Sequence, residues 1–249
     1  MSRILSHLLA IALLVSGFGF VAAADESTRA EAPVVVELFT SQGCNSCPPA
    51  DALLGELAQR PDLVALAFHV DYWNYIGWQD PFSSPEATKR QRDYAQSLEL
   101  SSVYTPEMVI DGSFDIVGSN RARVDQVIAT ASQRQKLPVT IVAGPAGGWH
   151  VTIPAGEAAE PATVWLALYD RRHSTPVRRG ENAGKTLTDY NIVREFRAIG
   201  QWTGAKLDLP VDIGATDLAE RGFAVIIQTA TAGRILGAAL APVPTTGGS

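Results

Sequence analysis

Short apolar runs alternate with helical patterns along the first third of the chain. Residues 32–39, APVVVELF, are rich in β-branched residues and predict a buried strand, and the run DLVALAFHV from Asp62 predicts a second strand. Between them, apolar residues recur at helical spacing: Ala50, Leu53, Leu54, Leu57 and Ala58. The pattern therefore predicts a strand, a helix and a second strand.

The same alternation continues to about residue 132. Ser83 or Ser84, followed by Pro85 and Glu86, carries the start signals of a second helix. EMVIDGSFDIVG, residues 107–118, predicts two short strands joined by a tight turn at its Asp-Gly pair. Ser119 or Asn120 then caps a last helix. Strands that alternate with helices in this way predict an α/β domain over residues 33–132.

Beyond residue 138 the helical patterns give way to strands. The polar segment SQRQKLP, residues 132–138, predicts a linker. The apolar runs that follow are separated by Gly and Pro turns: 139–144, 149–154, 163–170, 191–199, 206–213 and 223–230. Regular short strands of this kind predict an antiparallel sandwich of about 100 residues. We therefore expect a second domain over residues 138–243, all-β and sandwich-like.

Residues 1–24 have the pattern of a signal peptide. Arg3 precedes an apolar run from Leu8 to Val21, and Ala22-Ala23-Ala24 offers the small residues that precede a cleavage site. The run is short for a membrane span, which needs roughly 20 apolar residues. We predict cleavage after Ala24, a periplasmic or secreted location, and no membrane span in the mature chain. The alternative is an uncleaved N-terminal anchor.

The net charge of the chain limits the classes of binding partner. The chain has 20 Lys and Arg against 26 Asp and Glu, a net charge of −6. Loss of residues 1–24 removes Arg3 and no acid, which leaves 19 against 26, or −7. Such acidity argues against nucleic acid or an anionic membrane surface as the main partner.

The two cysteines of the chain lie together in TSQGCNSCPPAD, residues 40–51. Disulfides persist in exported proteins. A bridge that spans two residues removes little entropy from the unfolded chain, so it stabilises a fold weakly. The pair therefore predicts reactive or ligand-binding thiols. Pro48 and Pro49 fit the first turn of a helix, and Cys47 is then its cap.

A strand that runs into CxxC at a helix start, followed by Thr-Pro, a hairpin and a final helix, resembles the thioredoxin-like superfamily. The resemblance covers residues 33–132. More narrowly, VELFTSQGCNSCPPAD with HVDYWNYIGW, YTPEMVIDG and RGENAGKTL resembles an exported thioredoxin-like family that is known only as a domain of unknown function. The narrower resemblance extends over nearly all of the mature chain.

The resemblance implies a role for each residue of the site. Cys44 would be the exposed nucleophile and Cys47 the buried resolving thiol. Thr105 and Pro106 would lie across the disulfide, with a cis peptide bond between them. Glu37, seven residues before Cys44, would be the buried acid that moves the proton of the resolving cysteine, although the spacing is one residue longer than in thioredoxins.

Two further segments are candidates for substrate contact. Trp73, Tyr75 and Trp78 follow the second strand, and they form either a packed loop or a wall for a bound peptide. The second is a charged segment beyond the linker, RRGENAGK, residues 178–185. Its basic residues are either the solvated charges of a turn or a recognition loop for anionic groups that faces the CxxC.

We therefore predict an exported thiol–disulfide oxidoreductase that acts on protein thiols or disulfides, with a redox partner protein and without a cofactor. The direction of exchange is left open. One alternative is a copper(I) or zinc carrier that uses Cys44, Cys47 and His69, since soft thiolates favour those metals. His69 paired with Asp71 is the simpler arrangement. Another alternative is a non-catalytic interaction module with the same fold.

Overall fold

A computed structural model describes residues 32–144, 148–230 and 232–242; the predicted signal peptide, 1–24, lies outside them. The helices are Pro48–Leu57 (α1), Pro85–Ser97 (α2) and Arg121–Ser132 (α3), with a 3-10 turn at Asn74–Ile76. The strands are Val34–Thr40 (β1), Leu63–His69 (β2), Glu107–Ile110 (β3), Phe114–Val117 (β4), Thr140–Ala143 (β5), Trp149–Ile153 (β6), Ala162–Pro176 (β7), Thr186–Trp202 (β8), Leu207–Val211 (β9), Arg221–Thr229 (β10) and Ile235–Leu240 (β11).

The ends of the helices follow the predicted local signals. Ser84 is the N-cap of α2, and its hydroxyl accepts a hydrogen bond from the Ala87 N–H. Asn120 caps α3 in the same way, through the Arg123 N–H. No helix among the described residues is long and apolar enough to cross a bilayer.

One mixed sheet holds eight of the strands, in the order β11-β10-β7-β8-β2-β1-β3-β4. β1 pairs parallel with β2 and antiparallel with β3. The hairpin between β3 and β4 turns through Asp111 and Gly112, both at positive φ, as the Asp-Gly signal predicts. The protein is thus a mixed α/β fold built on a large sheet.

The predicted separate sandwich after residue 138 is not what the structure shows. β8 joins β2 in parallel through the pair Ala67 and Ile192, so β7, β8, β10 and β11 continue the first sheet. The other strands, β5, β6 and β9, form a small sheet that packs with β7 and β10 in one hydrophobic cluster. Only the apolar middle sections of β7 and β8 were visible in the sequence, so their full length and their reach to β2 were missed.

β1 is buried on both faces, and its side chains alternate between two cores. Val36 and Leu38 pack on the side of α1 and α3, whereas Val35 and Phe39 pack on the side of α2. Each such side chain stabilises the fold by about 1.5–3 kcal/mol when fully buried. The two faces of β1 therefore define two separate environments, and the candidate site belongs to the α1 side.

Candidate functional site

Cys44 and Cys47 are joined by a disulfide where β1 passes into α1. Cys47 is the N-cap of α1, and Pro48 begins the helix, as predicted. The carbonyl of Cys47 accepts hydrogen bonds from the N–H groups of Ala50 and Asp51, at 2.8 and 3.1 Å. The sulfurs therefore lie at the positive end of the helix dipole, which stabilises a thiolate.

The predicted Thr-Pro pair lies directly beside the disulfide. The peptide bond between Thr105 and Pro106 is cis. The Sγ atom of Cys44 is 3.9 Å from the Thr105 carbonyl oxygen. Trp73 donates its indole N–H to the Thr105 hydroxyl at 2.8 Å. The fold thus brings together five of the residues that the sequence singled out: Cys44, Cys47, Trp73, Thr105 and Pro106.

Cys44 is not exposed, contrary to what the resemblance implied: only 1% of it is accessible. The turn between β7 and β8 reaches over the CxxC loop. There the buried amide of Asn182 donates to the carbonyls of Gln42 and Cys44, at 2.9 and 3.0 Å. Glu181 accepts a hydrogen bond from the next N–H along that loop, that of Asn45. A turn beyond the predicted domain boundary therefore binds the main chain of the CxxC loop.

Glu37 does not lie beside the disulfide. Its carboxylate is fully buried on the α2 side of β1, where the Arg90 guanidinium binds both of its oxygens at 2.7 and 3.0 Å. Tyr94 also donates its hydroxyl to Glu37. Since α1 packs on the opposite face of the strand, Glu37 is not placed to take the proton of Cys47. The alternating side-chain directions of a strand explain the misassignment.

Asp51 is a buried acid on α1, the helix that begins at the disulfide. It lies one helical turn after Cys47, and its carboxylate accepts a hydrogen bond from the Thr40 hydroxyl at 2.7 Å. Burial, followed by the nearby carboxylate of Asp189, raises the pKa of Asp51 to about 7. A carboxyl group with such a pKa both donates and accepts a proton near neutral pH.

A buried polar network surrounds this acid. Gln42 donates its side-chain amide to Asp189 on β8 at 2.7 Å and its main-chain N–H to Asp80 at 2.8 Å. Asp80 also binds Nδ1 of His69 at 2.7 Å. Burial lowers the pKa of His69, but the carboxylates of Asp80, Asp189 and Asp51 outweigh burial and raise it to about 9. His69 is therefore a buried cation at neutral pH.

The alternative metal set does not assemble. His69 binds Asp80, whereas its predicted partner Asp71 accepts a hydrogen bond from Thr88 at 2.6 Å. Within residues 32–144, 148–230 and 232–242, no three His, Cys, Asp or Glu side chains are grouped so that they could hold a metal ion. Cys44, Cys47 and His69 are thus not a ligand set in this structure.

The aromatic loop divides into packed and exposed members. Trp73 and Trp78 are both anchored, the latter by donating its indole N–H to Gln42 at 3.1 Å. Tyr75 is 83% exposed in the same loop. Trp73 and Trp78 therefore hold the loop against the disulfide, and Tyr75 is the member free to contact another molecule.

Comparisons with known proteins place this arrangement in a family. Residues 35–228 match the sequence profile of the family described as protein of unknown function DUF1223. The chain belongs to the DUF1223 family. A crystal structure of a protein from Agrobacterium tumefaciens is 32% identical, covers 88% of this chain and 98% of its own, and has a TM-score of 0.75.

A second solved structure shares the fold of this DUF1223 member more distantly. The HBP35 protein of Porphyromonas gingivalis has a TM-score of 0.59 at 13% identity, over 88% of this chain and 78% of its own. No curated protein matches the chain in sequence.

Sequence reasoning missed four polar residues of this DUF1223 site: Asp51, Asp80, Asn182 and Asp189. Asp51 had a signal, because it is three residues before Leu54 and so shares the buried side of α1 with it. Asn182 lies in the segment 178–185, for which one interpretation was a loop that faces the CxxC, whereas Asp189 had no signal, since its partner Gln42 is 147 residues away. Only the continuous sheet brings them to the disulfide.

Proposed function

We propose that the protein is an exported, thioredoxin-like thiol–disulfide oxidoreductase whose Cys44–Cys47 pair exchanges with protein thiols and disulfides. One observation carries the proposal. A disulfide lies at the N-terminus of α1 beside the Thr105 carbonyl, and a buried acid with a pKa of about 7 lies one turn further along. These are the parts that exchange needs: a stabilised leaving sulfur, a backbone carbonyl next to it, and a proton carrier.

The exchange starts from the disulfide form. A thiolate of a reduced partner protein attacks Sγ of Cys44, the Cys44–Cys47 bond breaks, and Cys47 leaves with the electron pair. A second thiolate of the partner then attacks the partner's first sulfur, which is bonded to Sγ of Cys44 in the mixed disulfide. Cys44 leaves as a thiolate. The partner loses two electrons to form a disulfide, and the cysteine pair gains them. The reverse sequence reduces a partner disulfide.

Asp51 is the proton carrier in this scheme. When Cys47 leaves, protonated Asp51 donates its proton to the sulfur; in the reverse direction the carboxylate removes it. His69, held as a cation by Asp80, balances the negative charge that appears in this buried region. Water and the partner's thiols supply the protons that reach the pair.

Cys44 is 1% accessible, so exchange requires the CxxC loop and the turn between β7 and β8 that binds it to move apart. Asn182 holds that turn to the CxxC loop through two hydrogen bonds to main-chain carbonyls. We expect Asn182→Ala to raise the rate at which dithiothreitol reduces the disulfide by roughly thirtyfold, because two bonds are lost and each is worth about 1 kcal/mol. Ala183→Ser, a change at the exposed neighbouring residue, is the matched control and leaves the rate unchanged.

The decisive experiment uses the oxidised mature protein and a peptide with two thiols. Wild-type protein is expected to oxidise the peptide stoichiometrically while its own pair becomes reduced, and Cys44→Ser is expected to abolish the reaction. Cys47→Ser, reduced and mixed with a disulfide-linked peptide, is expected to accumulate a mixed disulfide at Cys44, detected by mass spectrometry. If wild-type protein neither oxidises nor reduces any test peptide, the proposed function is wrong.

A further inference from the structure

Gln42 binds several other segments of the molecule to the loop that leads from β1 to the disulfide. The residue is 1% exposed, and each of its polar atoms has a partner. Its main-chain N–H donates to Asp80, and its carbonyl accepts from Asn182. Its side-chain amide donates to Asp189 at 2.7 Å and accepts from the Trp78 indole at 3.1 Å. The side chain therefore joins the aromatic loop to β8.

Trp78 fixes the orientation of the Gln42 amide. An indole nitrogen donates a hydrogen bond and cannot accept one. The amide oxygen must therefore face Trp78, and the NH₂ group must face Asp189. If the amide turned over, its oxygen would face a carboxylate oxygen, and that contact is favourable only when Asp189 carries a proton. The observed orientation thus favours the ionised form of Asp189.

Among the described residues, Gln42 supplies the one hydrogen bond that the Asp189 carboxylate receives. The bond reaches Oδ2, whereas Oδ1 of Asp189 is buried without a partner. Burial raises the pKa of Asp189, and the His69 cation and the hydrogen bond from Gln42 oppose that rise. Without the amide, the buried carboxylate would have no hydrogen bond from a described residue, and it would hold a proton more tightly.

Asp51 and Asp189 compete for a proton. The helix and the strand that carry them are in close contact, since a Cβ at Gly55 of α1 would lie 2.5 Å from the Tyr190 ring of β8. After burial, the Asp189 carboxylate is the largest cause that raises the pKa of Asp51. Two carboxyl groups that repel each other in this way bind a first proton more readily than a second.

The hydrogen-bond partners of the two acids differ in what they accept. The Thr40 hydroxyl pairs with either form of Asp51, because a hydroxyl both donates and accepts. The fixed NH₂ group of Gln42 only donates, so it pairs with Asp189 only at an oxygen that carries no proton. The arrangement therefore favours a proton on Asp51 over a proton on Asp189.

The other charges near Asp189 act on it whichever way the amide points. His69 and His173 lower its pKa, and Asp80 raises it. His69 also lowers the pKa of Asp51, and Asp80 raises that one too. Because His69 and Asp80 act on both acids in the same direction, they do not select one acid over the other.

We propose that Gln42 is a positioning residue of the redox site: oriented by Trp78, it keeps Asp189 ionised and so leaves the proton on Asp51. The inference rests on the proposed function, in which protonated Asp51 gives its proton to the sulfur of Cys47 as that sulfur leaves. A proton held by Asp189 would not serve that step. Gln42 therefore acts on the reaction through the two acids and does not contact the substrate.

The first test is a titration of the carboxyl groups, which needs no substrate. In oxidised protein with ¹³C-labelled aspartate, the NMR signal of Asp51 is expected to titrate near pH 7. Gln42→Met keeps the main chain of residue 42 and removes the amide. In that variant Asp189 should bind the proton first, so the midpoint of Asp189 should move to higher pH and that of Asp51 to lower pH. An Asp51 midpoint that stays in place overturns the proposal.

Trp78→Phe tests the orientation of the amide. It removes the indole N–H, so the Gln42 amide is free to turn over, and the Asp51 midpoint should move in the same direction by a smaller amount. Trp202→Phe is the matched control. The indole of Trp202 donates to the Pro154 carbonyl, outside this network, so both midpoints should stay as in the wild type.

The peptide assay gives the kinetic test. Gln42→Met should slow exchange roughly tenfold at pH 7, the lower end of what one hydrogen bond to a charged group contributes. The double variant Gln42→Met, Trp78→Phe should be no slower, because Trp78 acts through Gln42. If the two losses multiply, Trp78 acts by another route and the proposal is overturned.

The titration and the assay separate this inference from the proposed function. If the midpoints move as expected but wild-type protein exchanges with no peptide, the proposed function is wrong, and Gln42 still determines which acid holds the proton. If wild-type protein exchanges and the midpoints do not move, the inference about Gln42 is wrong and the function stands. Should Gln42→Met not fold, the titration of Trp78→Phe decides: an unmoved Asp51 midpoint there overturns the proposal equally.

Discussion

Two buried acids lie on opposite sides of the same strand, and they have different partners. Glu37 on β1 faces α2 and is held at both oxygens by Arg90. Asp51 on α1 faces the other side, and its hydrogen-bond partner is the neutral hydroxyl of Thr40. Burial alone therefore does not identify a proton carrier. Glu37 is one half of a structural ion pair, whereas Asp51 has no cation bonded to it, and burial is the main cause that raises its pKa to about 7.

The largest effect is expected from removing the charge of Glu37. Glu37→Gln leaves the Arg90 cation buried without its partner, so the free energy of unfolding should fall by about 3–5 kcal/mol. The rate of exchange per folded molecule should be unchanged. Urea denaturation and the peptide assay measure the two quantities.

The control is the double variant Glu37→Gln, Arg90→Met. It removes both charges, and we expect it to recover part of the lost stability. A large loss of exchange rate in folded Glu37→Gln protein would show that the two acids do not have the separate roles described here.

Asp51→Asn should have the next largest effect, on rate rather than on folding. We expect exchange to slow by roughly a hundredfold, the lower end of what general acid–base catalysis contributes. The rate should be lost in the steps in which Cys47 leaves the disulfide or attacks to form it again. Stopped-flow measurement of the tryptophan fluorescence that accompanies reduction would follow those steps. Equal rates in the variant and the wild type would remove Asp51 from the mechanism.

The pH dependence of stability distinguishes Asp51 from an ordinary acid. Its pKa is 3.8 in the unfolded reference and about 7 in the folded protein, so the folded state holds a proton that the unfolded chain has lost in between. Wild-type stability should therefore decline as pH rises from about 4 to about 7 through this group. Asp51→Asn should lack that decline and melt a few degrees higher at pH 8. If the melting temperatures of the wild type and of Asp51→Asn changed in parallel with pH across this range, the raised pKa of Asp51 would be contradicted.

Thr40→Val gives the smallest and most specific effect. The Thr40 hydroxyl stabilises the ionised form of Asp51, so its removal should raise the pKa of Asp51 further. When the protein oxidises the peptide, Asp51 acts in its protonated form, so the ratio of wild-type to Asp51→Asn exchange rates should fall as pH rises through about 7 in the native background. In the Thr40→Val background the same fall should move to higher pH. Serine at position 40 is the control, because it keeps the hydroxyl.

Local signals in the sequence predicted the elements around the site well. The cap at Cys47, the cap at Ser84 and the Asp-Gly hairpin each depend on a few neighbouring residues, and the structure has all three. The acid was assigned to the wrong face because one residue of offset in a strand reverses the side-chain direction. Tyr94 and Arg90, which bind Glu37, belong to α2, more than 50 residues along the chain, so the sequence around Glu37 does not indicate them.

The continuous sheet could not be predicted from those signals. The link between β2 and β8 consists of one residue pair, Ala67 and Ile192, whose strands are far apart in sequence. Asp189 reaches Gln42 only because of that link. The spacing of apolar residues indicates which residues are buried, but it does not indicate which strands pair with each other.

The parallel join between β2 and β8 has a consequence for how the molecule is made. A ribosome delivers the segment with the cysteine pair long before it delivers β8, and domains begin to fold from the N-terminal side. During that interval the edge of β2 is unpaired and open to association with other chains. The CxxC loop is also without the hydrogen bonds that Asn182 makes to it in the folded protein. A chain that has been made only as far as β2 therefore lacks both the neighbouring strand and the hydrogen bonds of Asn182.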